Sequence, residues 1–222
     1  MLLPPDGMPY RPSEAIDNLD FLSDLKNTTE VVHIAVCATT MKLNPRFLSA
    51  CQKIIEKSSQ KINYHFLIGQ NHGLIRPNVE YIVKGFLGAS VTIYGHQAYD
   101  IYMKVIAGCD MFINPFPFGN TNGIVDTVSA GLVGVCKTGR EVHEHIDQGL
   151  FERLKFPSWL VTHSDEEYVD AVVRLAGDHE LRKKLNEELT GPKKIDVLFE
   201  GRPEVMSELF LGELQKMIKA VE

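Results

Sequence analysis

VVHIAVCATTMKLNPRFLSACQKIIEKSSQKINYHFLI, residues 31–68, contains two short apolar runs separated by an amphipathic stretch. Val31–Cys37 and residues 62–68 have strand length and are rich in β-branched and aromatic side chains. Between them, residues 45–59 place apolar side chains at helical spacing, with Pro45 positioned for a first turn. Strands apolar along their whole length are buried on both faces, so the segment predicts a parallel strand–helix–strand unit. Outward from it the alternation continues. A helix through 77–88 leads to the strand SVTIY (90–94), and the helix AYDIYMKVIAG (98–108) leads to CDMFINP (109–115). The helix NGIVDTVSAG (122–131) leads to LVGVC (132–136), and WLVT (159–162) is a short sixth strand.

The expected fold is α/β: a single Rossmann-like domain with a parallel sheet over residues 30–177. Residues 1–29, with Pro4, Pro5, Gly7 and Pro12, read as an extended lead-in. Residues 178–222 read as a C-terminal helical tail. Its last helix starts at Pro203 and carries Val205, Leu209, Leu214, Ile218 and Val221 along one stripe.

The 222 residues are 44% hydrophobic and 23% charged, which excludes a disordered or collagen-like chain. A chain of this size buries roughly 70% of its unfolded surface, enough for one full core. With 23 basic and 29 acidic residues the net charge is −6, a poor match to nucleic acid or to an anionic membrane. Cys37, Cys51, Cys109 and Cys136 are scattered without a C-x-x-C pair and read as reduced, buried thiols, which fits a cytoplasmic location. MLLPPDGMPYRP has neither a basic nor an apolar leader region, and no apolar run approaches the ~18 residues needed to span a bilayer.

In an open parallel sheet, ligands bind outside the carboxyl ends of the strands. The segment after the first strand supplies Thr39, Thr40 and Lys42, and the segment after the second supplies Gln70 within GQNHG. His96 follows the third strand, and the fourth is followed by PFPFGNTNGIVD (115–126) with Asn120, Thr121, Asn122 and Asp126. This set suits a nucleotide diphosphate. Lys42 supplies a point charge, Thr39 or Thr121 a hydroxyl, and the helix start at 120–122 free N–H groups for phosphate. Asp126, one turn past Asn122, can accept ribose hydroxyls. The same NTNG run is also ordinary cap and turn chemistry. There is no G-x-G-x-x-G after the first strand and no G-x-x-x-x-G-K-[ST], so NAD and P-loop readings lose their support. EVHEHID (141–147) holds two histidines, but at i and i+2 they face apart on a helix, so no metal site is expected.

PFPFGNTNGIVDTVSAGLVGVCKTGREVHEHIDQGLF (115–151) closely resembles the bacterial cytoplasmic N-glycosyltransferases that modify high-molecular-weight adhesins, relatives of the O-GlcNAc transferases. The resemblance implies a GT-B fold, of which this chain would be the C-terminal, UDP-sugar-binding half. It implies an inverting, metal-independent transfer of glucose or galactose from a UDP-sugar to Asn in Asn-x-Ser/Thr sequons of an adhesin polypeptide. By motif, Thr39 and Lys42 in ATTMK correspond to diphosphate contacts, and Gln70 and His96 to further donors to the nucleotide-sugar. Asn122 and Asp126 correspond to pyrophosphate and ribose contacts. The O-GlcNAc transferases have His-Thr-Thr where this chain has Asn120-Thr121-Asn122, so phosphate geometry does not carry over from them. The family's acceptor site and helical N-terminal half fall outside the match, so the chain alone is expected to bind UDP or UDP-glucose without transferring sugar. A non-catalytic nucleotide-binding or protein-interaction module is the alternative.

Overall fold

The computed structural model describes residues 30–69, 73–191, 193–199 and 202–219. The lead-in expected over 1–29, and Gln70, lie outside the described residues. Six strands form one sheet: β1 (Val31–Cys37), β2 (Lys61–Leu67), β3 (Val91–Tyr94), β4 (Met111–Ile113), β5 (Gly134–Lys137) and β6 (Val161–Thr162). Their order is β3-β2-β1-β4-β5-β6 and every pairing is parallel. The chain thus builds outward from β1, then returns to lay β4 on the other side of it. That reversal opens a crevice between the loops after β1 and β4, where α/β sheets bind ligands.

The helices are α1 (Pro45–Lys57), α2 (Ile75–Leu87), α3 (Tyr99–Ala107), α4 (Thr121–Ser129), α5 (Ile146–Arg153), α6 (Asp165–Gly177), α7 (His179–Leu189), α8 (Asp196–Phe199) and α9 (Pro203–Lys219). α1 packs with α2 and α6, while α4 packs with α3 and α5. Alternation along β1 and β2 feeds both layers. Tyr64 and Phe66 turn toward α1, where Tyr64 donates to the Cys51 carbonyl at 3.1 Å and Phe47 meets Phe66 edge-on. His65 turns the other way and meets Tyr94. Phe47, Phe116 and Tyr168 continue the core as edge-to-face pairs with centroids 5.7 and 4.9 Å apart. Such pairing adds to plain area burial. α5 presses Phe151 onto Phe112, and Ile195 and Leu198 from the α8 region join the same core.

β4 is shorter than the apolar run around it; just before it Asp110 meets His33 of β1 twice at 2.8 Å, donating its N–H to the His33 carbonyl and accepting the His33 N–H on its carboxylate. α5 was not separated from the polar EVHEHID stretch by sequence; a 3₁₀ turn at Val142–Glu144 precedes it. The four cysteines are buried and form no disulfide. Trp159 is half-buried with the Arg174 guanidinium 4.2 Å over its ring, at the core's margin rather than within it. In α9, Val205 and Leu209 are half-buried, whereas Leu214 and Ile218 are exposed; Val221, the last residue of the predicted stripe, lies outside the described residues. Among the described residues no helix is long and apolar enough to cross a membrane.

Candidate functional site

The loop after β1 is short and heavily tied. Thr40–Lys42 forms one 3₁₀ turn, and Asn44 then caps α1 by accepting the Phe47 N–H at 3.0 Å, with Pro45 in the first turn. The same Asn44 side chain donates to the Phe116 carbonyl at 2.7 Å. Lys42 reaches across and donates to the Gly119 carbonyl at 2.6 Å. Two side chains of the first loop therefore hold two carbonyls of the loop after β4. Between the loops lies a cleft of about 560 Å³ lined by Cys37, Thr39, Lys42, Gly69, Tyr102, Asn120, Thr121, Asn122 and Asp126, among others.

One wall of the cleft is the first turn of α4. Among the described residues, no acceptor meets the N–H groups of Thr121, Asn122 and Gly123; the first helical bond is from Ile124 to the Asn120 carbonyl. Such a turn presents donors and the positive end of the helix dipole to an anion. Gly123 leaves room for the Asn120 side-chain amide, which fills the space where a β-carbon would stand. Lys42 adds a half-buried cation. Burial lowers its pKa, while the negative charge of Asp147 partly restores it. Phe118 packs 5.2 Å below the ammonium and stacks on His143.

Asp126 faces the cleft from the second turn of α4. Its two oxygens accept from Tyr99 at 2.8 Å and Tyr102 at 3.1 Å, phenols placed i and i+3 on α3. Burial raises its carboxyl pKa, and the two phenol hydrogen bonds oppose that rise. Each oxygen keeps a second lone-pair direction, so hydroxyls can still be accepted beside the tyrosines. Cys37 lies next to this trio, and burial pushes its thiol up to about 12, which removes it as a nucleophile at neutral pH.

Of the residues expected from sequence, Thr39, Lys42, Asn120, Thr121, Asn122 and Asp126 converge on the one cleft. Thr39 stands exposed at the start of the 3₁₀ turn, its hydroxyl unused as a cap. His96 is exposed on the loop after β3 and is not among the residues lining that cleft. The polar residues after β5 have local partners. The Glu144 carboxylate accepts the N–H groups of Arg140 and Glu141, and His145 meets Thr138. Among the described residues no group of three or more His, Cys, Asp or Glu could hold a metal ion. His33 and His65 join each other at 2.8 Å, and His65 also meets the Tyr94 hydroxyl.

Sequence reading missed Asp147. Its carboxylate is 2% exposed, accepts the Asn120 N–H through both oxygens at 2.9 and 3.0 Å, and accepts from Asn114 at 2.9 Å. Burial holds its carboxyl up at about 6 against the lowering effect of these donors and of Lys42. A signal existed: Asp147, Leu150, Phe151 and Leu154 follow the i, i+3, i+4, i+7 spacing of one buried face.

Two curated relatives from Actinobacillus pleuropneumoniae, of serotype 5b (strain L20) and serotype 7 (strain AP76), are 47% identical to this chain over 218 residues. Both are named UDP-glucose:protein N-beta-glucosyltransferase. The chain resembles the C-terminal part of that glucosyltransferase. The match takes in 98% of this chain and 35% of each relative, so the chain spans about a third of their length. No family model matches it.

Among solved structures, an O-GlcNAc transferase from Thermobaculum terrenum superposes with TM-score 0.71 at 14% identity, over 91% of this chain and 38% of its own. Sucrose-phosphate synthase from Thermosynechococcus elongatus gives 0.52 at 14% identity, over 96% and 50%. The lipopolysaccharide glycosyltransferase WaaG gives 0.52 at 11%, over 72% and 42%. At such identities the likeness is one of fold. This chain has the architecture of one half of a GT-B glycosyltransferase.

Proposed function

We propose that this chain is the donor-binding half of a protein N-glucosyltransferase, with UDP-glucose held in the β1/β4 cleft. The observation that carries the reading is the meeting of the Lys42 ammonium and the first turn of α4, whose N–H groups meet no acceptor among the described residues, at the sheet's crevice, in a chain 47% identical to proteins named for UDP-glucose. The diphosphate lies against Lys42 and the N–H groups of 121–123, with Thr39 and Thr121 as hydroxyl donors. The ribose hydroxyls donate to Asp126. Gln70 and His96 serve as further donors to the nucleotide-sugar from the loops after β2 and β3. Residues 30–177 form the donor domain, with 178–222 a helical extension and 1–29 a lead-in.

The reaction that fits is an inverting displacement. The amide nitrogen of an Asn in an Asn-x-Ser/Thr sequon attacks the anomeric carbon, the bond from that carbon to the diphosphate oxygen breaks, UDP departs with the electron pair, and the nitrogen releases one proton to solvent. Charge grows on the departing diphosphate. Lys42 and the α4 dipole are fixed where that charge develops, the arrangement that stabilises a leaving group most effectively. A lysine and a helix N-terminus can fill this role without a divalent ion. Galactose, the 4-epimer, is the competing sugar.

The test supplies the remaining N-terminal part of a relative in trans, with UDP-glucose or UDP-galactose, EDTA and a sequon peptide. Glucose on the Asn, and none when Asn is replaced by Gln, supports the reading. A peptide left unmodified while the supplied part is folded and the donor is bound contradicts it.

A further inference from the structure

Asp147 carries a buried charge close to a site that attracts anions, which costs desolvation and adds repulsion. The Gly119–Asn120 peptide accounts for its presence. In a trans peptide the N–H and C=O point in opposite directions, and here both ends are taken. The N–H donates to Asp147 behind the loop, and the C=O accepts from Lys42 at the cleft. We propose that Asp147 is a positioning residue for the donor diphosphate: through this one peptide plane it fixes the Lys42 ammonium and the start of α4. The proposal rests on the donor-site reading above.

Three features support it. The two contacts polarise the same amide in the same sense, so each strengthens the other. The fit is close, since a β-carbon on Gly119 would run into the Asp147 carboxylate. Asn114 gives its NH₂ to Asp147 and leaves its own buried Oδ1 without a partner. That arrangement sacrifices one acceptor in order to solvate the ionised acid from below, while Asn120 holds it from above. Among the described residues the Asp147 carboxylate hydrogen-bonds with Asn114 and Asn120 and not with Asp126, the expected ribose contact, so it acts on the phosphate-binding side of the cleft.

A positioning role makes a specific demand on ligand affinity. UDP carries the diphosphate and uridine does not, so Asp147→Asn should weaken UDP by tenfold or more and leave uridine within twofold. Both affinities can be read by ligand-observed NMR. In a Lys42→Ala background the same substitution should cost UDP less than it does in the parent, because one of the two groups it positions is gone. Asn114→Ala, which removes one donor to Asp147 from outside the cleft, should reproduce the split at a few-fold and serves if Asp147→Asn does not fold. Equal losses for UDP and uridine, or full additivity with Lys42→Ala, would assign Asp147 a general structural role and overturn the proposal. A wild-type chain that binds no UDP would overturn the donor-site reading and this inference with it. A wild type that binds while the variants match it would overturn this inference alone.

Discussion

A β-carbon on Gly119 would fall on the carboxylate of Asp147, so the glycine and the acid specify one another across 28 residues of chain. Gly119→Ala must displace either the acid or the loop, and small-to-large changes of this kind cost about 1–3 kcal/mol. Chemical denaturation should show a loss in that range, with UDP affinity reduced alongside it. A variant as stable as the parent would mean that the loop accommodates the methyl group.

Lys42→Ala removes a charge-assisted donor at the cleft, a contact worth about 1.5–3 kcal/mol. UDP affinity should fall by roughly 10- to 100-fold with little change in melting temperature, because half-buried Lys42 contributes little to the core. Asp126→Ala should weaken UDP comparably and also lower stability, since Tyr99 and Tyr102 then lose their shared acceptor. Calorimetry on the two variants separates these patterns.

Asn44 both caps α1 and holds the Phe116 carbonyl. Loss of such a cap costs about 0.5–2 kcal/mol, and Asn44→Ala should reach the upper part of that range because the second contact goes with it. Asn44→Asp retains the cap acceptor but not the donor to Phe116, and should recover part of the loss. Both variants lack the donor to Phe116, so equal unfolding midpoints would show that the cap acceptor contributes nothing.

Two buried groups pull stability in opposite directions in weak acid. Burial lowers His65 from 6.5 to about 4, with the neighbouring His33 adding to the effect. The unfolded chain therefore takes up a proton below pH 6.5 that the folded chain refuses until about 4, and stability from this group declines as pH falls through that window. Burial raises Asp147 from 3.8 to about 6, so the folded chain keeps a proton that the unfolded one releases, and stability from this group declines as pH rises from 3.8 to 6. Asp147→Asn removes the second effect. Urea unfolding of that variant should show stability climbing more steeply with pH between 4 and 6.5 than in the parent, by up to about 1.4 kcal/mol per unit. Superimposable profiles would contradict the opposing pair.

The sheet was legible because its strands are apolar over most of their length and are followed by amphipathic stretches; their limits moved, as at β4, which begins after Asp110. The cleft was legible for the same reason, since parallel strands place their carboxyl ends on one edge and Lys42, Asn120 and Asp126 follow strands directly. Asp147 was not. Its partners lie 27 and 33 residues earlier, and its polar neighbours at 141–145 disguised the inward stripe it shares with Leu150 and Phe151. Tyr99 and Tyr102 escaped similarly: their i, i+3 spacing marks a helix face, but only the packing of α3 beside α4 gives that face an acid to hold.

Titration of this chain with UDP in the presence of EDTA tests the central claim most directly. The account predicts saturable, one-to-one binding of UDP and UDP-glucose that weakens roughly 10- to 100-fold in Lys42→Ala. An absence of saturable UDP binding by the folded chain, or NAD bound in its place, would contradict it.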